Sequence, residues 1–129
     1  MDRKVVHTAL APAAIGPYSQ GIVANGFIFS AGQIPLDPVT MKLIDGDFKQ
    51  RVQRVLKNLN AVLAAAGSDL SQVVKFTVFL TDLSQFAQVN EVFNECFAGL
   101  EPPARSAVQV AALPLGTDVE IECIALAEN

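Results

Sequence analysis

Residues 47–67 read DFKQRVQRVLKNLNAVLAAAG and contain the clearest periodic pattern in the chain. Apolar residues recur there at steps of three and four, as on one face of an α-helix. They are Val52, Val55, Leu56, Leu59, Val62, Leu63 and Ala66. Asp47 can accept a hydrogen bond from a free N–H group at the helix start, and Gly67 suits the left-handed position after a helix end. The pattern predicts a helix over residues 47–66.

A second, shorter helix is predicted after Asp82 and Ser84, which are residue types that commonly cap a helix start. Its apolar stripe ends near Gly99 and consists of Phe86, Val89, Val92, Phe93, Cys96 and Phe97. Between the two helices, residues 73–80 read VVKFTVFL and predict a strand, because β-branched and aromatic residues dominate this run. Comparable runs predict strands at residues 5–8, 21–24, 27–33, 105–111 and 119–127.

The dipeptide Asn25-Gly26 separates two of these strands and predicts a tight hairpin, because both central positions of a type I′ turn need a positive φ. The order of elements predicts an α+β fold, with a six-stranded mixed sheet and two helices packed on one face. With 129 residues, 51% of them apolar, the chain is expected to form a single domain over residues 1–129.

The last predicted strand has apolar residues on both faces. Ile124 and Leu126 alternate with the apolar residues of the opposite face and lie on the same side as Glu120 and Glu122. Two helices can cover only one face, so Ile124 and Leu126 would be exposed unless another subunit covers them. We therefore expect a homo-oligomer. The alternative is a partly solvated sheet face with scattered apolar residues.

Charge and composition exclude several classes of protein. The net charge is −4, from 13 acidic residues against 9 Lys and Arg, which argues against a nucleic-acid partner and an anionic membrane surface. Every apolar stretch falls short of the ~18 residues that span a bilayer, so no membrane association is expected. One His and two Cys do not suit a zinc site, and glycine-rich phosphate-binding motifs are missing from the sequence, so we expect no metal and no cofactor. The low cysteine content and the lack of a secretory signal in MDRKVVH indicate a cytoplasmic protein.

Two charged residues on predicted strands are candidates for chemistry. Arg105 opens the fifth strand, and Glu120 lies on the sixth. If these strands are neighbours, the two side chains converge. An arginine fork can bind a carboxylate, and a glutamate in a desolvated cleft can have its pKa raised towards the working pH. The pair would then bind a small acid; a structural cross-strand ion pair is the alternative.

Two further segments carry candidate residues. Tyr18 follows a rigid turn, Ala14 to Pro17, and could line a pocket, although a half-buried tyrosine with its hydroxyl bound to the backbone is the alternative. Gly32, after Ala31 at the end of the third strand, could permit close approach by a ligand or another chain. It could also mark only a bulge or bend. Glu122 is more simply explained as a solvated or ion-paired neighbour of Glu120.

Four motifs in order resemble the RidA (YjgF) family over nearly the whole chain. They are Ala-Ile-Gly-Pro-Tyr-Ser-Gln at 14–20, Ala-Gly-Gln-Ile-Pro at 31–35, Pro-Ala-Arg-Ser-Ala at 103–107 and Val-Glu-Ile-Glu-Cys-Ile-Ala at 119–125. The resemblance implies a chorismate-mutase-like α+β fold in a trimeric, barrel-like assembly, with ligand clefts between the subunits of a homotrimer. It also implies hydrolysis of reactive 2-imino acids, such as 2-iminobutanoate and 2-iminopropanoate, to 2-oxo acids and ammonia, without a cofactor.

The resemblance also implies roles for individual residues. Arg105 would hold the substrate carboxylate with help from the main-chain N–H of Ala107. Glu120 would handle the proton of the attacking water, and Tyr18, Ala31 and Gly32 would line the cleft. Because some relatives occur in mitochondria, the resemblance leaves a mitochondrial pool open beside the cytoplasmic one.

The sequence departs from the family pattern at Ala31. Active members commonly carry Ser immediately before the Gly-Gln pair, whereas this chain has Ser30 one position earlier. A shift of one residue along a strand turns a hydroxyl to the opposite face. A non-catalytic trimeric module that binds small acids or protein partners is therefore the alternative function. RNA cleavage, a third activity proposed for relatives, fits the acidic charge poorly.

Overall fold

The computed structural model describes residues 2–127, which form two helices and a six-stranded sheet. In chain order the elements are β1 (Arg3–Val6), β2 (Gly21–Ala24), β3 (Phe27–Ser30), α1 (Phe48–Ala65), β4 (Val73–Leu80), α2 (Phe86–Cys96), β5 (Ala104–Gln109) and β6 (Val119–Leu126). The expected α+β architecture is confirmed, and both helices belong to one buried apolar cluster with the sheet.

The start and end of α1 are set by the predicted residues. The Asp47 carboxylate accepts from the Gln50 N–H at 2.9 Å, and the Gln50 side chain accepts from the Asp47 N–H at 2.8 Å, which completes a capping box. After the helix, Gly67 has φ 81°, and the Ser68 N–H donates to the Leu63 carbonyl at 2.9 Å. This is the Schellman pattern that a glycine permits.

The start of α2 differs from the expectation. Asp82 accepts from the Ser84 N–H at 2.9 Å and so caps the short 3₁₀ turn Leu83–Gln85 that precedes α2. Gln85 stands at the N-cap of α2 and makes no side-chain cap bond. Ser84 therefore does not cap this helix, because the 3₁₀ turn runs directly into it.

Several strands are shorter than predicted or shifted. β1 covers residues 3–6 rather than 5–8, β3 ends at Ser30 rather than at 33, and β5 covers 104–109 rather than 105–111. The Asn25-Gly26 hairpin is confirmed, with φ of 51° and 83° at its two central residues. Beyond Ser30, an isolated bridge pairs Gln33 with Ile121.

The strand order is β1-β2-β3-β6-β4-β5. β4 and β5 are parallel and are connected through α2, whereas every other adjacent pair is antiparallel. A parallel pair needs such a crossover, and a helix that follows one strand packs back onto the sheet. β5 is an edge strand, and β4 separates it from β6.

The face that the helices cover holds the core. Phe76, Val78 and Leu80 of β4 are fully buried, as are Val119 and Ile121 of β6. Phe76 also makes edge-to-face contacts with Phe93 and Phe97, with ring centroids 5.1 and 5.8 Å apart. These contacts fix α2 above β4 and beside β5.

No helix within residues 2–127 covers the opposite face of the sheet, called here the open face. Val5, Ile22, Phe29 and Ile124 lie side by side in register across β1, β2, β3 and β6. Phe29 is 44% exposed, and Leu126, in the next row, is 38% exposed. The described chain thus leaves a contiguous apolar surface in water, as expected from the alternation in β6.

Candidate active site

Glu120 lies on the open face of β6, opposite Phe79 of β4. Its side chain is half-buried beside the loop that follows β3. Burial raises the pKa of this carboxyl above its usual value of 4.5, and the negative charge of Glu122 raises it further. A glutamate in this setting can take up a proton at higher pH than an exposed glutamate can.

The Glu120 carboxyl group fits beside residue 32 only because that residue is a glycine. A Cβ atom placed on Gly32 would lie 2.8 Å from Cδ of Glu120 and would overlap with its Oε2 atom. The carboxyl group therefore occupies the space that any other residue at position 32 would fill. The group that approaches Gly32 in the structure is Glu120 of the same chain, so approach by a ligand or by another chain remains a prediction.

A bulge after β3 creates this arrangement. Three residues, 30–32, separate the pairs Phe29–Ile124 and Gln33–Ile121 on one strand, and only two, 122–123, separate them on the other. The Ser30 hydroxyl accepts from the Cys123 N–H at 2.9 Å and so replaces a ladder bond that the bulge removes. Because Ser30 is held by this bond, it does not supply the hydroxyl that Ala31 lacks.

Glu120, Gly32, Ala31 and Tyr18 line one cavity of about 450 Å³, called here the Glu120 cavity. Tyr18 is 51% exposed, so it is a wall of the cavity rather than part of the core. Its hydroxyl accepts from the Ile15 N–H at 3.1 Å, which holds the ring against the turn that carries it. The structure thus brings together four of the six predicted residues.

Arg105 lies elsewhere, on the helix-covered face of the edge strand β5. Its guanidinium carbon is 5.0 Å from the ring centroid of Phe86 and 4.9 Å from that of Phe93, both on α2. Its Nη2 group donates to the Asn90 side chain at 2.5 Å. Partial burial lowers the pKa of Arg105, although the guanidinium stays charged at any physiological pH. A cavity of about 400 Å³ along α2 contains Arg105 and is called here the Arg105 cavity.

The predicted convergence of Arg105 and Glu120 within one chain is wrong. β4 lies between their strands, so the two residues are not cross-strand neighbours. Arg105 is in register with Phe76, and Glu120 with Phe79. Phe76 and Phe79 are three positions apart, an odd number, so Arg105 and Glu120 lie on opposite faces of the sheet. Neither a shared site nor an ion pair between them can form inside a single chain.

Ala107 accompanies Arg105 on β5 and is partly buried against the core. The Val110 N–H donates to the Leu80 carbonyl of β4 at 2.8 Å. Because N–H groups alternate in direction along a strand, the Ala107 N–H points away from β4, to the free edge of the sheet. This edge therefore offers a main-chain donor two residues from a fixed guanidinium.

Sequence reasoning missed the residues of α2 that hold Arg105. Phe86, Asn90 and Phe93 are spaced by four and three residues, which places them on one helix face. That spacing could have marked Asn90 as a polar residue within an apolar stripe. It could not show that β5 lies under this face. Pro114 and Leu115, which also line the Glu120 cavity, carry no comparable signal.

Residues 2–127 contain no cluster of His, Cys, Asp and Glu that could hold a metal ion. Within the same range, neither helix is both long and apolar enough to cross a bilayer. The fold and the two cavities define an α+β protein with one cavity that contains an acidic side chain, Glu120, and a separate cavity that contains a basic one, Arg105.

Comparison with known proteins extends this assignment. A family model described as Endoribonuclease L-PSP matches residues 8–127. The chain belongs to this family, which is the RidA (YjgF) family that its motifs resemble.

Protein DfrA of Myxococcus xanthus is 55% identical and the alignment covers 98% of this chain and 97% of the relative. The mouse 2-iminobutanoate/2-iminopropanoate deaminase is 49% identical, with 96% of this chain and 91% of the relative covered. A solved structure of a conserved Rid-family protein, YyfA from Yersinia pestis, superposes with a TM-score of 0.94 at 46% identity and covers 97% of this chain and 99% of its own.

Proposed function

We propose that this protein is a cofactor-independent deaminase that hydrolyses 2-imino acids such as 2-iminobutanoate and 2-iminopropanoate to 2-oxo acids and ammonia. The observation that carries the proposal is the Glu120 carboxyl, whose pKa is raised by burial at the wall of a largely apolar cavity. The name of the mouse relative, 49% identical over nearly the whole chain, supports the same chemistry.

The reaction needs only proton transfer and positioning. An imine carbon is electrophilic, so a water molecule adds to it as its proton passes to a general base, here Glu120. The imine nitrogen takes up a proton from solvent, which completes the neutral aminoalcohol. Glu120 then returns its proton to the amino nitrogen, the C–N bond breaks as the hydroxyl releases its proton to solvent and becomes the carbonyl of the 2-oxo acid, and ammonia leaves. General acid–base catalysis of this kind typically contributes ~100- to 10,000-fold.

Arg105 would bind the substrate carboxylate through its planar fork, with the Ala107 N–H as a second donor. Since Arg105 and Glu120 lie on opposite faces of one sheet, a shared site requires two subunits. We propose a homotrimer in which the Arg105 edge of one copy meets the Glu120 cavity of the next. The exposed apolar rows on the open face, including Phe29, support burial between subunits.

Light scattering at several protein concentrations tests the assembly. We expect a mass three times the 13.7 kDa of one chain. Phe29→Asp should shift the measured mass towards that of the monomer, because the substitution buries a charge in the apolar row. Val39→Asp, at a site 89% exposed, should leave the mass unchanged. A wild-type monomer with full activity would contradict the two-subunit site.

A coupled assay tests the activity. An amino-acid oxidase generates the imine, and ammonia release is followed with and without the protein. Glu120→Gln should lower kcat/KM by about 100-fold or more. Glu95→Gln, at an exposed glutamate of α2 outside the Glu120 cavity, is the control and should stay within about threefold. Equal rates for Glu120→Gln and wild type would rule out the assigned role of Glu120.

A non-catalytic small-acid-binding module is the second candidate, and Ala31 favours it. The Ser30 hydroxyl is already bonded to the Cys123 N–H, so no serine hydroxyl next to Gly32 compensates for Ala31. If wild type binds 2-oxobutanoate but does not accelerate ammonia release, and Ala31→Ser restores the rate, this second function is correct. Degradation of a labelled RNA by wild type, absent in Glu120→Gln, would instead favour the activity named in the family description.

We also propose that residues 1–129 act as one RidA-like domain in the cytoplasm. A single large apolar cluster joins both helices to the sheet, which supports one folding unit. Both cysteines, Cys96 and Cys123, are free thiols, as expected in a reducing compartment. Fractionation of the source cells with an antibody against the protein tests the location.

A further inference from the structure

Leu115 stands out in the loop between β5 and β6. Its backbone adopts φ 57° and ψ 19°, and Gly116 follows with φ 70°. A left-handed conformation is unfavourable for a leucine, because its Cβ approaches the carbonyl oxygen. The side chain is 64% exposed, so core packing does not offset this cost. Unfavourable backbone conformations of this kind cluster at functional sites.

The strained loop places Leu115 on the wall of the Glu120 cavity. Ile15, which is 63% exposed, and Tyr18 line the same cavity. Three large, exposed, mainly apolar residues therefore share a cavity with the carboxyl that we assign as the general base. A substrate held there would contact apolar surface on these sides.

The polar groups of the cavity restrict its ligand further. Gln20 is fully engaged: its Nε2 group donates to the Pro12 carbonyl at 2.8 Å and to that of Thr8 at 3.0 Å, and its Oε1 atom accepts from the Thr8 N–H at 2.8 Å. Glu120 is the one charged residue among the lining residues. A second carboxylate on the substrate side chain would therefore meet repulsion from Glu120, while Arg105 of the neighbouring copy is already engaged by the first carboxylate.

We propose that Leu115 is a specificity-determining residue that, with Ile15, binds the side chain of the imino acid and favours apolar side chains over acidic ones. The inference rests on the proposed deaminase function and names the substrate class of that site. Each methylene that Leu115 helps to bury should raise kcat/KM by roughly fourfold. The leucine-derived imine is thus preferred over 2-iminopropanoate, and the glutamate-derived imine is disfavoured.

The test compares imines derived from alanine, leucine and glutamate in the coupled assay, with wild type and Leu115→Asn. Asparagine accepts a positive φ, so the loop conformation is retained while the apolar contact is lost. We expect the ratio of kcat/KM for the leucine-derived imine to that for 2-iminopropanoate to fall by roughly 15- to 60-fold, since two or three methylenes, each contributing roughly fourfold, lose their contact. Met41→Asn is the matched control, because Met41 also has a positive φ, of 58°, and does not line the cavity.

An unchanged ratio in Leu115→Asn, or an equal fall in Met41→Asn, would overturn the proposal. If wild type hydrolyses no imine, the deaminase function fails, and calorimetry with pyruvate and 4-methyl-2-oxopentanoate still tests Leu115. Tighter binding of the larger oxo acid, lost in Leu115→Asn but kept in Met41→Asn, would then support the specificity role. Equal affinities of wild type for the two oxo acids would refute it.

Discussion

Gly32→Ala is the most informative single change, because the structure predicts which group it displaces. The new methyl carbon would lie 2.8 Å from Cδ of Glu120, where an ordinary contact is 3.4 Å or longer. Gly32 itself has no positive φ, so alanine fits its backbone. The clash is with the end of a flexible side chain, and we expect Glu120 to move while the fold is kept.

The size of the effect follows from that movement. Restoring an ordinary contact requires the Oε2 atom to retreat by about 1 Å, and a misplacement of this size in a reacting group can cost ~100-fold in rate. Arg105, which we assign to carboxylate binding, belongs to a different cavity. We therefore expect kcat to fall about 100-fold and KM to change less than about threefold.

A double-mutant cycle in the coupled assay isolates the mechanism. In a Glu120→Gln background, Gly32→Ala should cost less than about a further twofold, because the group that it displaces has already lost its function. Gly99→Ala is the control for lost stability: Gly99 has φ 79° and no atom within 4 Å of an added Cβ, so alanine strains the backbone without touching Glu120.

Two results would refute the reasoning about Gly32. One is a kcat of Gly32→Ala within about threefold of wild type. The other is a loss of the same size in the Glu120→Gln background, which would show that the methyl group acts on something other than Glu120. In either case the closeness of Gly32 and Glu120 would be a packing feature without a catalytic consequence.

Three further predictions concern other parts of the molecule. Because burial raises the pKa of Glu120 above 4.5, ionisation of this carboxyl opposes folding. Glu120→Gln should therefore raise Tm at pH ~8. The gain should vanish towards pH ~4, because the Glu120 carboxyl of the wild type is then protonated in both the folded and the unfolded state. A gain independent of pH in melting curves would contradict this. Asn90→Ala removes the acceptor for Arg105 and should weaken 2-oxobutanoate binding by roughly 3- to 10-fold in calorimetry, whereas Gln88→Ala, at a residue of α2 that does not line the Arg105 cavity, should not. Asp47→Ala breaks the capping box of α1 and should lower the free energy of unfolding by about 1 kcal/mol, seen as a Tm lower by ~3–5 °C at fixed protein concentration. Asp45→Ala should leave Tm unchanged. Equal Tm values for both variants would show that the cap is dispensable.

The sequence predicted the residues of the candidate site, but it did not predict that Arg105 lies apart from the others. Tyr18, Ala31, Gly32 and Glu120 were found as polar or small residues in strands and turns, and they do share a cavity. Arg105 was found by the same reasoning, yet it lies on the other face of the sheet. Alternation along a strand shows which residues of that strand share a face, but it does not relate faces across strands whose pairing is unknown.

Local sequence patterns were sufficient to predict α1 with its cap at Asp47, the Asn25-Gly26 turn and the outward direction of Glu120 in β6. Each depends on residues within one or two turns of chain, where periodicity and φ preferences act. Local patterns did not predict that β4 lies between β5 and β6, that Phe86 and Phe93 hold Arg105, or that Glu120 occupies the space beside Gly32. These features depend on contacts between segments far apart in the chain, which are chosen by the packing of the whole core rather than by local pattern.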